Sequence, residues 1–101
     1  MKPLIVAPEA EEDLFEIWSY LLENGGETIA SRIDSELWSA FAGLALTPGK
    51  GHRRSDLTAA KVLFFTVYQY MVIYRVGTTV EILSVIHGKR DVRAVLEARE
   101  Y

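Results

Sequence analysis

The stretch from Val62 to Val95, VLFFTVYQYMVIYRVGTTVEILSVIHGKRDVRAV, constrains the fold more than any other part of the chain. Two apolar runs, Val62–Val67 and Tyr70–Val76, flank Tyr68-Gln69, and a third follows Gly77-Thr78-Thr79. Short runs rich in β-branched and aromatic residues, separated by two or three residues, read as strands joined by hairpins. The segment therefore predicts three consecutive antiparallel strands. The third closes on His87-Gly88-Lys89-Arg90-Asp91, a polar cluster at one end of the sheet. The first two runs are nearly unbroken in apolar character, the mark of strands covered on both faces.

Upstream, the period changes. Lys2–Ala7 is a short strand candidate, and Pro8 suits the first position of a helix, where its missing N–H costs nothing. Glu9, Glu11, Glu12 and Asp13 crowd the first turn, where carboxylates favour the positive end of the helix dipole, so they read as a solvated helix start. Leu14, Ile17, Trp18, Leu21 and Leu22 recur at three- and four-residue spacing until Asn24-Gly25-Gly26. A second helix is predicted from about Thr28 to Leu46, with Ile29, Ile33, Leu37, Ala40, Phe41 and Leu44 as its buried stripe and Pro48-Gly49 as its stop. The short connection makes the two helices an antiparallel hairpin. Leu14, Ile17, Trp18, Leu21, Ile33, Leu37 and Phe41 are expected to be buried against the sheet. Thr47–Ala60 is the one long loop, and Asp91 is placed to cap a last helix, Val92–Arg99. That helix can hide only part of the second sheet face. The sequence thus predicts an exposed apolar patch of roughly several hundred Å², enough to mark a partner site.

The 101 residues fit a single domain, residues 1–101. With no cysteine there is neither a disulfide framework nor thiolate chemistry, which fits a reducing cytoplasm. No run approaches the ~18 apolar residues of a membrane span, and the N-terminus does not read as a signal peptide. A net charge of −3 argues against a protein whose main work is gripping phosphates. His52 and His87 lack a third ligand at metal spacing, so no metal or cofactor is expected. No nucleophile elbow or phosphate loop is present. Arg53, Arg54, Lys89 and Arg90 are the clustered cations. Phe15 and Trp38 sit on the shoulders of their helical stripes, where large aromatics are enriched at interfaces.

Taken in order, several segments resemble the ParE branch of the RelE/ParE toxin superfamily, the toxin half of type II toxin–antitoxin modules. They are Ala10 with Asp13-Leu14 and Ile17–Tyr20, the loop Pro48…Gly51-His52-Arg53-Arg54-Ser55-Asp56-Leu57, Tyr70–Arg75, and Val80–Asp91. The resemblance spans nearly the whole chain. It implies an α+β fold: an N-terminal strand, an antiparallel helical hairpin packed on one face of a twisted antiparallel sheet, and a short C-terminal helix.

The resemblance also implies a choice between two activities. RelE-like members cut mRNA on the ribosome. Phosphodiester cleavage by a 2′-hydroxyl needs a base, an acid and cations for the phosphorane charge. The positions that carry those groups in RelE-like enzymes match Val62, Phe64, Met71, Arg90 and Leu96 here, and only Arg90 keeps the chemistry. ParE-like members instead bind DNA gyrase. The reading is therefore a non-catalytic, cytoplasmic gyrase inhibitor, in a hetero-oligomer with a ParD-like or similar antitoxin. It has no membrane partner and no sequence-specific nucleic-acid binding. Arg53, Arg54, His87, Lys89, Arg90 and Tyr101 are the candidate target contacts; Phe15, Trp38 and Arg75 are the candidate antitoxin contacts. The alternatives are a ribosome-dependent endonuclease and a degenerate member that binds antitoxin without toxicity.

Overall fold

A computed structural model describes all 101 residues. The chain runs β1 (Leu4–Val6), α1 (Pro8–Gly25), α2 (Glu27–Leu46), a 3-10 turn (Pro48–Lys50), β2 (Leu63–Val67), β3 (Tyr70–Val76), β4 (Val80–His87) and α3 (Val92–Arg99). The sheet order is β1-β4-β3-β2. Strands β2, β3 and β4 form the expected antiparallel meander. The sheet is mixed rather than wholly antiparallel, because β1 pairs parallel with β4, Leu4 opposite Val80 and Val6 opposite Ile82. The physical cause is the crossover: the whole helical hairpin lies between β1 and the meander, which frees β1 to return in the parallel sense.

Gly26 is the entire connection between α1 and α2. Its φ of 88° lies in a region open to glycine, and its N–H caps α1 at the Leu22 carbonyl while its carbonyl receives the Ala30 N–H. One residue thus ends one helix and begins the next. Ala10 and Ala30, both fully buried, let backbones approach closely along the hairpin.

The core has two parts, one on each side of the sheet. On the hairpin side, Ala10, Leu14, Leu37, Phe41 and Leu44 pack on Tyr70, Val72, Tyr74, Val80, Ile82 and Val85. On the far side, Val92 and Leu96 of α3 close over Val62, Phe64, Ile73, Leu83 and Ile86. This second cluster corrects the expectation of an open apolar sheet face: α3 and the loop residues Leu57 and Ala60 cover it. The expected stripe is corrected as well. Leu14, Leu37 and Phe41 are buried, whereas Ile17, Trp18, Leu21 and Ile33 are half-buried and Leu22 and Ile29 are exposed. The sheet covers only the inner side of the hairpin, so part of its apolar surface stays exposed.

The long loop is better ordered than its composition suggested. His52 forms a two-hydrogen-bond bridge with Phe64 on the outer edge of β2. The buried Tyr74 hydroxyl donates to the Pro48 carbonyl at 2.7 Å and accepts the Gly51 N–H at 2.8 Å. A Cβ at Gly51 would lie 2.5 Å from that hydroxyl and 2.8 Å from the Phe64 carbonyl, so only glycine fits.

Candidate functional site

Three surface features draw on the candidate residues, and each is built by a different pair of elements. The first is the outer groove between α1 and α2, about 440 Å³, lined by Glu11, Leu14, Phe15, Trp18, Asp34 and Trp38. Phe15 is 69 % exposed and Trp38 is 43 % exposed, far more than core aromatics tolerate. Trp38 is held edge-on against the buried Phe41 ring at 5.3 Å, so its position is fixed even though its face is free. The structure therefore brings Phe15 and Trp38 together. Arg75 does not join them. Side chains alternate along β3, and Tyr74 points to the hairpin, so Arg75 faces the opposite side, where it pairs with Glu81 at 2.9 Å.

The second feature sits where β4 loses its strand neighbour. β1 ends at Val6, so β4 has no β1 partner beyond Ile82, and at that point β4 carries a bulge. Leu83 is the extra residue, and past it the alternation changes phase: Ile82 and Val85 face the hairpin while Leu83 and Ile86 face α3. Side chains replace the missing strand. Asp13 accepts the Val85 N–H at 2.9 Å, and the Tyr101 hydroxyl donates to the Leu83 carbonyl at 2.9 Å. Arg99 grips Asp13 with both terminal nitrogens, at 2.7 and 2.8 Å, and reaches the buried Ser84 hydroxyl, which also meets Tyr101. The Asp13 carboxylate raises the Arg99 guanidinium well above its ordinary range, so this cation does not titrate.

This network revises the reading of Asp13 and locates Tyr101. Asp13 is not part of a solvated helix start; only 4 % of it is exposed, and it is fully hydrogen-bonded. Tyr101, a target-contact candidate, is folded back onto β4 and half-buried. No sequence signal marked Asp13 and Arg99 as partners, since 86 residues separate them. Next to the network lies a cleft of about 240 Å³, lined among others by Glu16, Tyr20, Tyr70, His87 and Arg90. His87 accepts the Lys89 N–H on Nδ1 at 3.0 Å, which leaves Nε2–H facing Gln69 Oε1 at 3.2 Å. Its ring stands edge-on to Tyr70, and burial raises the Tyr70 phenol. The imidazole is thereby tied to the β2–β3 turn at Gln69 and to the turn after β4 at Lys89.

The third feature is a groove of about 600 Å³ on the far side, lined by Arg54, Leu57, Met71, Gly88, Arg90, Asp91, Val92 and Arg93. Arg54 pairs bidentately with Asp56 at 2.8 and 2.9 Å, and this pairing holds the Asp56 carboxyl below its usual range. Arg93 donates to the Asp56 carbonyl and so fastens the loop to α3. Arg54 and Arg90 are brought together, with Arg93 as a third member that the sequence reading missed. Arg53 and Lys89 are exposed and do not line the groove. No cluster of three or more metal-ligating side chains forms.

The candidate features also divide by charge. Residues 8–46, the helical hairpin, hold nine carboxylates and one cation, Arg32, a formal charge of −8. Residues 47–101 hold nine cations and five carboxylates, a formal charge of +4. The net −3 thus conceals an acidic hairpin and a basic remainder made up of the loop, the meander and α3.

A helical hairpin between a parallel edge strand and an antiparallel meander, closed by a C-terminal helix, is the architecture of a solved chain described as a chromosomal ParDE TA system from P. aeruginosa. The TM-score is 0.74 at 20 % identity, over 86 % of this chain and 96 % of that one. At that identity the likeness shows the fold. Sequence carries the assignment further. Residues 4–92 match the family model of the ParE toxin of type II toxin–antitoxin system, parDE. The chain is also 33 % identical over 96 residues to Toxin ParE1 of Caulobacter vibrioides, covering 95 % of this chain and 99 % of that protein. The chain belongs to the ParE toxin family of type II toxin–antitoxin systems.

Proposed function

We propose that this ParE-family toxin acts by stoichiometric binding to DNA gyrase rather than by catalysis, and that a cognate antitoxin neutralises it by covering the α1–α2 groove. The observation that supports binding over cleavage is the position of α3. It packs Leu96 onto Val62 and Phe64, so the sheet face that would need acid, base and cations is filled with apolar side chains. Met71 extends the same apolar surface. What supports the antitoxin reading is the outer groove, where Phe15 and Trp38 stand exposed on rigid helices, as interface anchors do. The groove is rimmed by Glu11 and Asp34 within an acidic hairpin, which fits a basic amphipathic segment of the antitoxin. An activity against gyrase would be exercised in the cytoplasm, which is the localisation this reading carries.

The test separates the readings. Purified toxin should inhibit gyrase supercoiling and accumulate cleaved DNA, and its expression should induce the DNA-damage response before translation stops. Primer extension on translated mRNA should show no toxin-dependent cuts. Codon-positioned cuts would establish the endonuclease instead. Trp38→Ala together with Phe15→Ala should weaken antitoxin binding by at least tenfold while gyrase inhibition persists.

A further inference from the structure

We propose that the far-side groove framed by Arg54, Arg90 and Arg93 is a binding site for the phosphodiester backbone of nucleic acid, read without regard to sequence. The proposal rests on the gyrase reading above and deepens it: the toxin would touch the DNA that the enzyme holds, as well as the enzyme. The three guanidiniums come from three separate segments, the loop after the 3-10 turn, the turn after β4 and the first turn of α3, yet they face one concavity. Like charges gathered from separate segments raise the local positive potential, which favours an anion among them. Asp56 lowers that potential in part, by holding Arg54 through its carboxylate and Arg93 through its carbonyl. Arg90 has no carboxylate partner and is exposed. Between His52 and Arg93 the two flanking segments, 52–56 and 87–93, hold five cations, Arg53, Arg54, Lys89, Arg90 and Arg93, against two carboxylates, Asp56 and Asp91. Asp91 is already occupied in capping α3 at the Ala94 N–H.

The shape of the site favours a nucleotide chain over an acidic protein surface. A carboxylate is satisfied by one bidentate arginine, and the groove already supplies that pairing to itself in Arg54–Asp56. The groove also exposes half-buried apolar surface at Leu57 and Met71 between its cations. A nucleic-acid backbone offers both parts at once, anionic phosphates for the guanidiniums and the apolar face of the sugar for the floor between them. The proposed contacts are to phosphates alone, and phosphate contacts carry no sequence preference. Arg54 and Arg93 line only this groove, whereas Arg90 stands at the sheet end between it and the α1 cleft that holds Asp13 and Glu16.

The experiment uses the full-length chain, free of antitoxin, with a fluorescein-labelled mixed-sequence 20-base-pair DNA duplex, the RNA duplex of the same sequence, and polyglutamate. Binding is followed by anisotropy at several salt concentrations. Three phosphate contacts predict a slope of about −3 in log affinity against log salt. Arg90→Gln should weaken DNA binding about tenfold and remove about one unit of that slope, while Arg90→Lys keeps most of the slope. Arg32→Gln, on the acidic hairpin, should change nothing. Equal binding of DNA and RNA supports a backbone site, and tighter DNA binding supports it with DNA as the source. Polyglutamate binding as tightly as DNA would overturn the assignment in favour of an acidic-protein site. No salt-dependent DNA binding, or an unchanged Arg90→Gln, would overturn it outright. If Arg90→Gln abolishes DNA binding yet poisons gyrase as the wild type does, the groove plays no part in the gyrase reading. If DNA binds as described but gyrase is untouched, the groove stands and the gyrase reading falls.

Discussion

At the scale of single residues, stability rests on polar groups that stand in for missing backbone partners. Asp13 is the clearest. Asp13→Ala strips the partner from the Val85 N–H and from Arg99, and loss of a buried ion-pair member costs about 3–5 kcal/mol. The lower end applies here, about 3 kcal/mol, because the Arg99 side chain is 22 % exposed and can turn to water. Asp13→Asn keeps an acceptor for Val85 and should cost roughly 1–2 kcal/mol. Urea unfolding of the two variants measures the difference; equal losses would mean the ion pair adds nothing beyond the backbone bond. Gly51→Ala should cost about 1–3 kcal/mol, the range for overpacking a filled site, since neither the Phe64 carbonyl nor the Tyr74 ring can retreat. Tyr74 also sets a pH dependence. Burial raises its phenol pKa, so the fold favours the neutral form. A raised folded pKa stabilises fully below the unfolded value, about 10, and that stability is lost as pH rises through the folded value. Melting temperature should therefore fall above about pH 10, and Tyr74→Phe should flatten the fall while lowering the melting temperature at pH 7, because the Gly51 N–H and Pro48 carbonyl lose their partner.

At the scale of elements, the meander, the helical hairpin and α3 were all legible in the sequence, because period and turn chemistry mark them locally. Val62–Val67 and Tyr70–Val76 announced strands without any partner being known. What the local signal could not supply was direction and coverage. The parallel pairing of β1 depends on where the chain returns after the helical hairpin, the loop and two further strands, and Leu4–Val6 alone is too short to state it. Coverage failed in both directions. The far face looked open because an eight-residue helix seemed too small, yet Val92 and Leu96 suffice once Leu57 and Ala60 join them. The hairpin stripe looked buried because period 3.6 reports an apolar face and not what lies against it, so Trp18 and Leu21 end half-buried. Within the site, Phe15 with Trp38 and Arg54 with Arg90 were named from sequence, whereas Arg93 and the Asp13–Arg99 pair were not, since long-range side-chain pairing leaves no periodic trace. The weight placed on α3 can be measured. Leu96→Ala should cost about 2–4 kcal/mol as a buried leucine truncation and should expose the apolar sheet face to a hydrophobic dye. An unchanged unfolding midpoint would mean that α3 is loosely docked and that the far face is open in solution.

At the scale of the whole molecule, the division into an acidic hairpin and a basic remainder makes the toxin an electric dipole, and the proposals above give each part its own partner. Charges of this kind act mainly on encounter rate, and their reach is about 8 Å at physiological ionic strength, so each end attracts its own partner without much effect from the other. With the antitoxin on the acidic hairpin, as proposed above, its association should be fast at low salt and slower as salt rises. Replacing Glu11 and Asp34, the carboxylates lining the groove, with lysine changes the hairpin from −8 to −4 without touching Phe15 or Trp38. Stopped-flow association with the antitoxin at about 20 mM salt should slow roughly tenfold in this variant, and the difference should shrink below about twofold at 1 M salt, where screening falls to about 3 Å. The dissociation rate should change little, because the apolar anchors that hold the complex remain. Arg90→Gln, at the other pole, should leave both rates as they are. A double-lysine variant that associates as fast as the wild type at low salt would mean the hairpin charge does not steer the antitoxin. A variant that dissociates quickly at every salt concentration would instead place Glu11 and Asp34 in direct, buried contact with cations of the partner.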